Sequence, residues 1–373
     1  MNDVARKIQV LIVDDSSVVR RLVADELSVH ADIEVVGTAI HGQMALEKVA
    51  QLAPDLVILD IEMPEMDGLT ALRLLHERHR DTPVIMFSSL TELGAAATLE
   101  ALSRGASDFF TKPTGAGGVE ASRQVIRNEL VPAIRTLCAE RRRRALALEA
   151  AAQRSREPRI PSASLRFMPS AKPASTAATS RVEVLAIGAS TGGPNALADL
   201  FTSLPSDFPV PIVIVQHMPP MFTRLLAERL TKLSKIPTAE AESGVELTPG
   251  RAWIAPGDYH MEVVRDGRTV RLKLHQEPPE NACRPAVDPL FRSVAAAYGR
   301  HSLAVVLTGM GQDGLRGCEA IRTVAGQVVV QDESSSVVWG MPGAVARAGL
   351  ADRILPLPLM ASDIVRRVRV ASG

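Results

Sequence analysis

Short apolar runs separated by helix-spaced segments organise this chain. Before Gly115 the runs are Ile8–Val13, Val35–Ala39, Leu56–Leu59, Val84–Phe87 and Asp108–Thr111. Five such runs alternating with amphipathic stretches predict a parallel α/β sheet. Leu56-Val-Ile-Leu59 is apolar throughout, as a strand covered on both faces has to be. From Gly115 the pattern changes. A helical stretch carrying Arg141–Arg144 runs into Pro158, Pro161, Pro169 and Pro173 amid Ser, Ala and Thr, a composition too poor in apolar surface to order itself. A linker is predicted over about 140 to 180. Strand signals then return at Val182–Ile187, Val210–Val215, Ala252–Ile254, Ser302–Leu307 and Val328–Val330. Met261–Val264 and Val270–Leu274 flank Asp266-Gly267, which predicts a hairpin because glycine accepts the positive φ of a tight turn. The predicted divisions are a first α/β domain over 1–125, a helical extension and linker over 126–180, and a second α/β domain with a hairpin over 181–373.

Length and charge narrow the possible roles. At 373 residues the chain exceeds one ordinary core, which fits two domains. Lys plus Arg and Asp plus Glu each total 42, so no net field favours nucleic acid or an anionic membrane. Ile8–Val13 is cut off by Asp14 and Asp15, too short for a signal sequence, and no stretch approaches the roughly 18 apolar residues of a membrane span. A soluble, cytoplasmic protein is expected. Cys138, Cys283 and Cys318 are odd in number and lack C-x-x-C spacing, so they read as reduced thiols, not as a disulfide framework or zinc site.

The first half gathers carboxylates. Asp14 and Asp15 follow the first strand, Asp60 ends the third, Ser88 closes the fourth and Lys112 the fifth. In an open parallel sheet these strand ends line the ligand crevice. Clustered carboxylates repel one another, and Mg²⁺ with its preference for oxygen ligands relieves that repulsion. The metal would also neutralise a phosphoryl group arriving on one of them. Each aspartate alone reads equally as a helix cap; the set of five does not.

The second half places a serine at a glycine-rich turn. Val184-Leu-Ala-Ile-Gly-Ala-Ser-Thr-Gly-Gly-Pro-Asn195 carries Ser190 between a strand and a helix start and satisfies G-x-S-x-G. A plain helix-capping turn explains that pattern as well. His217 follows the strand ending at Gln216, and Asp313 follows Val305-Val-Leu-Thr-Gly-Met-Gly-Gln312. A serine becomes a nucleophile when an imidazole takes its proton and a carboxylate orients that imidazole, and these are the three residue types present. The order Ser, His, Asp departs from the Ser, Asp, His order of α/β-hydrolases, so that fold is not implied. A dinucleotide reading of Gly188–Gly193 is poorer, because Ser190 would obstruct pyrophosphate at the middle glycine position and no acidic ribose partner presents itself. A DNA-binding output is disfavoured by the absence of a helix-turn-helix pattern, and Arg141–Arg144 reads as a solvated helix face.

Two resemblances bring these signals together. Val13-Asp-Asp-Ser16, Leu59-Asp-Ile-Glu-Met-Pro-Glu-Met-Asp-Gly68, Ser88 and Lys112-Pro113 resemble the receiver domain of two-component response regulators. That resemblance implies a flavodoxin-like (βα)5 fold with Asp60 as phosphoacceptor. Asp14, Asp15, Asp60 and the carbonyl of Glu62 would hold Mg²⁺, Ser88 and Lys112 would sense the phosphoryl group, and Phe109 would be the switch aromatic. Ile187-Gly-Ala-Ser-Thr-Gly-Gly-Pro194, Val215-Gln-His-Met-Pro-Pro220, Ile254-Ala-Pro-Gly-Asp-Tyr-His260, Leu307-Thr-Gly-Met-Gly-Gln-Asp-Gly314 and Val338-Trp-Gly-Met-Pro342 resemble the CheB protein-glutamate methylesterases of bacterial chemotaxis. This implies a doubly wound, mainly parallel catalytic domain. Its activity would be hydrolysis of γ-glutamyl methyl esters on methyl-accepting chemotaxis receptors, releasing methanol, and deamidation of receptor glutamines, without a cofactor for the hydrolysis. The implied catalytic residues are Ser190, His217 and Asp313, with Thr191 and Met310 at the oxyanion. The implied phosphodonor is a chemotaxis histidine kinase. The Asn281-Ala-Cys-Arg284 stretch departs from a more basic one in enteric relatives. A binding-only or DNA-binding output domain remains the competing class, separable by methanol release.

Overall fold

The computed structural model describes residues 6–89, 91–112, 118–156 and 181–369. Among these, the first half forms β1 (Ile8–Val13), α1 (Ser17–Ser28), β2 (Ile33–Ala39), α2 (Gly42–Leu52), β3 (Leu56–Asp60), α3 (Gly68–Arg78), β4 (Val84–Ser88), α4 (Glu92–Ser103), β5 (Asp108–Thr111) and α5 (Gly118–Val125). A π turn over Ile126–Leu130 leads into α6 (Val131–Arg156). The five strands pair in parallel in the order β2-β1-β3-β4-β5. Helix starts are set locally: Ser16, Asp67 and Thr91 each accept from a first-turn amide, satisfying a donor the helix leaves free.

The second half forms β6 (Val184–Ala189), α7 (Gly193–Ser203), β7 (Ile212–Gln216), α8 (Phe222–Leu233), β8 (Thr238–Glu240), β9 (Ala252–Ile254), the hairpin β10 (His260–Asp266) and β11 (Thr269–His275), and α9 (Val287–Tyr298). Then follow β12 (Ser302–Val306), α10 (Leu315–Thr323), β13 (Gln327–Gln331), α11 (Met341–Arg347), β14 (Arg353–Leu355) and α12 (Leu357–Arg369). Seven strands make a parallel sheet in the order β14-β13-β12-β6-β7-β9-β8. The chain starts in the middle at β6, builds outward to one side, and returns to build the other from β12. The crevice between β6 and β12 is therefore a topological switch point, where such sheets bind ligands.

One expectation is corrected here and another is extended. Residues 140–156, assigned to the linker, continue α6, while 157–180 lie outside the described residues. Arg142–Arg144 are exposed, as a solvated face requires, but the run also makes specific contacts. Arg141 donates to the Asp55 carbonyl at 3.0 Å, Arg143 pairs with Glu333 at 2.5 Å, and Arg144 donates to the carbonyls of Ser336 and Val337. The run ties the first domain to a loop of the second, which sequence spacing does not reveal. The edge strands β8 and β14 escaped detection because each is three residues long and largely unburied. No helix among the described residues is long and apolar enough to cross a membrane.

The two halves share apolar contacts. One core cluster runs from β3, α3 and α4 of the first sheet to α7, α8 and α12 of the second. Asn195 Nδ2 donates to the Leu102 carbonyl at 2.5 Å, and Arg224 pairs with Glu92 at 2.5 Å across the same junction.

Candidate active site

β6 ends at Ala189, and the turn that follows is held tightly. The Ser190 amide donates to the Thr308 carbonyl at 3.1 Å, and the Ser190 carbonyl accepts from Gly193 at 2.7 Å. Gly192 stands at φ +77°, a left-handed conformation that glycine adopts without steric cost. A Cβ on Gly309 would lie 2.8 Å from Ser190 Cβ, so glycine lets the loop after β12 pass against the serine. Gln216, which ends β7, donates Nε2 to the carbonyls of Ser190 at 2.9 Å and His217 at 3.2 Å. This buried amide staples the serine turn to the histidine turn.

Because β12, β6 and β7 are neighbours in the sheet, the Ser190, His217 and Asp313 loops meet at one edge. His217 Nε2 donates to Asp313 Oδ2 at 2.8 Å. Asp313 also accepts from the amides of Val287, Asp288 and Gly314 at 2.6, 3.0 and 2.9 Å and from Asn281 Nδ2 at 2.8 Å. Val287 and Asp288 open α9, so a helix N-terminus faces this carboxylate. Burial opposes its charge, but His217 and the amides outweigh burial and hold Asp313 below the usual carboxylate range. His217 responds in the opposite sense. Burial favours its neutral form, yet hydrogen bonds to Asp313 and Cys283 raise it to about 10. Its second nitrogen, Nδ1, lies 3.5 Å from Cys283 Sγ. Ser190 lines the same cleft, but Ser190 Oγ makes no hydrogen bond among the described residues.

The cleft, about 510 Å³, is walled from both halves of the chain, with Asp108 and Phe109 facing Ser190 and His217. Phe109 stacks on Phe222 at 4.7 Å between ring centroids. Asp108 Oδ2 accepts from Thr191 Oγ1 at 2.7 Å. Burial raises the Asp108 carboxyl to about 6 against the hydrogen bonds from Thr191 and the Phe109 amide. The amides of Thr191 and Met310 make no backbone hydrogen bond among the described residues, which leaves two donors beside Ser190. Met310 Sδ accepts from Thr136 Oγ1 of α6 at 3.4 Å.

The carboxylate cluster forms at the C-terminal edge of the first sheet. Carboxylate oxygens of Asp14, Asp15 and Asp60 lie within 4.8 Å of one another. Lys112 Nζ lies 3.0 Å from Asp14 and 2.7 Å from Asp60. Burial raises Asp60 to about 6; the Lys112 hydrogen bond opposes the rise and the Asp14 charge adds to it. Asp14 is raised as well, chiefly by burial. Three carboxylates against one ammonium form an oxygen-rich, under-neutralised set that fits Mg²⁺. Ser88 Oγ donates to the Gly94 carbonyl at 3.0 Å, and the Glu62 amide donates to Asp60 Oδ1 at 3.2 Å.

The sequence reading missed Asp108, Gln216, Asn281 and Cys283. Gln216 and Asp108 carried one available signal, adjacency to His217 and Phe109. Asn281 and Cys283 stood out only as part of a stretch that departs from enteric relatives; their contacts with Asp313 and His217 come from the fold alone.

Residues 185–364 match the CheB methylesterase family, and residues 10–122 match the response regulator receiver domain. The chain is 52% identical over 362 residues to a protein-glutamate methylesterase/protein-glutamine glutaminase of Trichodesmium erythraeum, spanning 97% of this chain and 99% of that one. To a protein of the same description from Nocardioides it is 50% identical over 361 residues, spanning 97% and 95%. The crystal structure of the Thermotoga maritima CheB methylesterase catalytic domain is 40% identical, covers 50% of this chain and 98% of its own, and gives a TM-score of 0.49. With relatives matched over nearly their whole length and both domains in the same order, the chain belongs to the protein-glutamate methylesterase/protein-glutamine glutaminase family.

Proposed function

We propose that Ser190, His217 and Asp313 hydrolyse γ-glutamyl methyl esters on chemotaxis receptors, and deamidate receptor glutamines, under control of phosphorylation at Asp60. The observation that carries this reading is the His217–Asp313 pair, locked by four further donors to Asp313 and set beside Ser190 at the switch point. His217 Nδ1 takes the Ser190 hydroxyl proton as Oγ bonds to the γ-carbonyl carbon. The amides of Thr191 and Met310 receive the oxyanion. The proton returns to the leaving methoxide or amide nitrogen, methanol or ammonia departs, and water releases the γ-carboxylate. The enzyme works from the cytoplasm, meeting the membrane only through its receptors.

Control follows from what fills the cleft. Asp108 engages Thr191, and Phe109, the receiver's switch aromatic, stacks on Phe222, so the receiver covers the serine. Mg²⁺ held by Asp14, Asp15, Asp60 and the Glu62 carbonyl would neutralise the phosphoryl group at Asp60. Ser88 and Lys112 then respond to that group, and Phe109 leaves Phe222. The phosphodonor is a chemotaxis histidine kinase. Methyl-labelled receptor membranes incubated with the full-length protein test both parts. Acetyl phosphate should accelerate methanol release, and Ser190→Ala should lower it by about 10⁴- to 10⁶-fold. Near-normal release by Ser190→Ala would exclude the serine mechanism.

A further inference from the structure

One short strap touches both members of the His217–Asp313 pair. Glu280 and Cys283 close on each other through reciprocal backbone hydrogen bonds of 2.9 and 3.1 Å. The two residues between them, Asn281 and Ala282, both stand in the left-handed region, at φ +53° and +61°. Neither is glycine, so the turn is strained and persists only where its surroundings over-determine it. They do. Arg292 grips Glu280 with two bonds of 2.7 Å, and Arg284 grips Asp258 at 2.9 and 2.5 Å, so the strap is pinned at both ends. From this fixed turn Asn281 donates to Asp313 Oδ1 at 2.8 Å and to Asp288 at 2.9 Å. Cys283 Sγ reaches His217 Nδ1 at 3.5 Å.

Nδ1 is the nitrogen Asp313 leaves open, and therefore the one a serine hydroxyl has to address. In the resting protein a thiol occupies it. We propose that Cys283 is a positioning residue for the base, holding His217 Nδ1 until Ser190 displaces it. This rests on the reading of His217 as the base for Ser190. A thiol is a weak hydrogen-bond partner, so it orients the ring yet gives way to the stronger bond from an alcohol. At 3.5 Å the Cys283 sulfur also favours the charged form of the ring. The other charged groups around the pair are Asp288 and Glu280, which interact with Asp313, and Asp108, Glu129 and Arg284, which line the cleft. Asp313 holds Nε2 and Cys283 holds Nδ1, so their effects are separable by substitution.

The test follows the His217 imidazole by NMR across neutral and alkaline pH in full-length wild type, Cys283→Ser and Cys283→Ala. Both variants should lower its titration midpoint by about one unit or more. An unchanged midpoint in the two would overturn the proposal. Methanol release should show the same displacement in the acid limb of its pH profile. A uniform loss of rate with an unmoved limb would mean a merely structural thiol and would also overturn it. Ser190→Ala reports separately on the serine mechanism, because the NMR midpoint needs no turnover.

Discussion

Asp60 and Asp313 are equally hidden, 1% and 2% exposed, and both lie beyond the C-terminal edge of a parallel sheet. Their charges are nevertheless held in opposite ways. Asp313 accepts from three backbone amides, an asparagine amide and an imidazole, so its charge is fully answered. Asp60 has one backbone amide and a lysine that it shares with Asp14, another buried carboxylate. Burial wins at Asp60 and loses at Asp313. Burial by itself does not decide the state of a carboxylate; the donors aimed at it do. The over-satisfied aspartate suits a fixed electrostatic support, and the under-satisfied one suits a group that must accept a metal and a phosphoryl group.

The same isosteric change at the two positions should therefore act with opposite sign. Asp313→Asn presents an amide to donors that need an acceptor and removes the partner of His217. We expect methanol release to fall about 10⁴-fold and the catalytic domain to lose about 3–5 kcal/mol in denaturant unfolding. A stable, active Asp313→Asn enzyme would break the comparison. Asp60→Asn should abolish acceleration by acetyl phosphate yet stabilise the receiver. The Asp60 carboxyl titrates at 3.8 when exposed and at about 6 in the fold. The folded state thus binds the proton more tightly, so stability is full below 3.8 and is lost as pH rises to about 6. Asn escapes that loss. Without Mg²⁺ its advantage should open between those two values, then stay level at about 1–3 kcal/mol, a rise of a few degrees in melting temperature. A melting temperature lowered at neutral pH would refute it. Saturating Mg²⁺ should narrow the gap by stabilising the wild type.

The smallest effect tests the cover that lies between these sites. Phe109→Ala removes an aromatic stack worth about 0.5–1.5 kcal/mol, so methanol release without phosphodonor should rise about 2- to 10-fold. The variant should also gain less from acetyl phosphate than the wild type. An unchanged basal rate would show that the Phe109–Phe222 contact does not hold the cover.

Particular elements show how far the sequence could be read. Leu56-Val-Ile-Leu59 and Val210-Pro-Ile-Val-Ile-Val215 declared buried strands because no polar side chain interrupts them, and the structure places strands there. Asp266-Gly267 declared its hairpin through turn chemistry. Edge strands of three residues carried too little signal. Arg141–Arg144 is a largely exposed face, and its contacts with carbonyls of Asp55 and Val337 have no signal along the chain, because a basic run looks the same whether or not a distant carbonyl meets it. Ser190, His217, Asp313 and the receiver carboxylates were legible as strand-end residues of the right chemistry.

Local chain chemistry, then, determined the strands, the turns and the reactive residue types, since these depend on neighbours a few positions away. Tertiary structure decided what those residues are bonded to. The order β12-β6-β7 brought three distant loops to one edge, the N-terminus of α9 kept Asp313 charged, and the strap at Asn281–Cys283 put a thiol on His217 where a serine was expected. Those outcomes hang on contacts between segments up to about a hundred residues apart, and no pattern along the chain encodes which hydrogen-bond donor will arrive first.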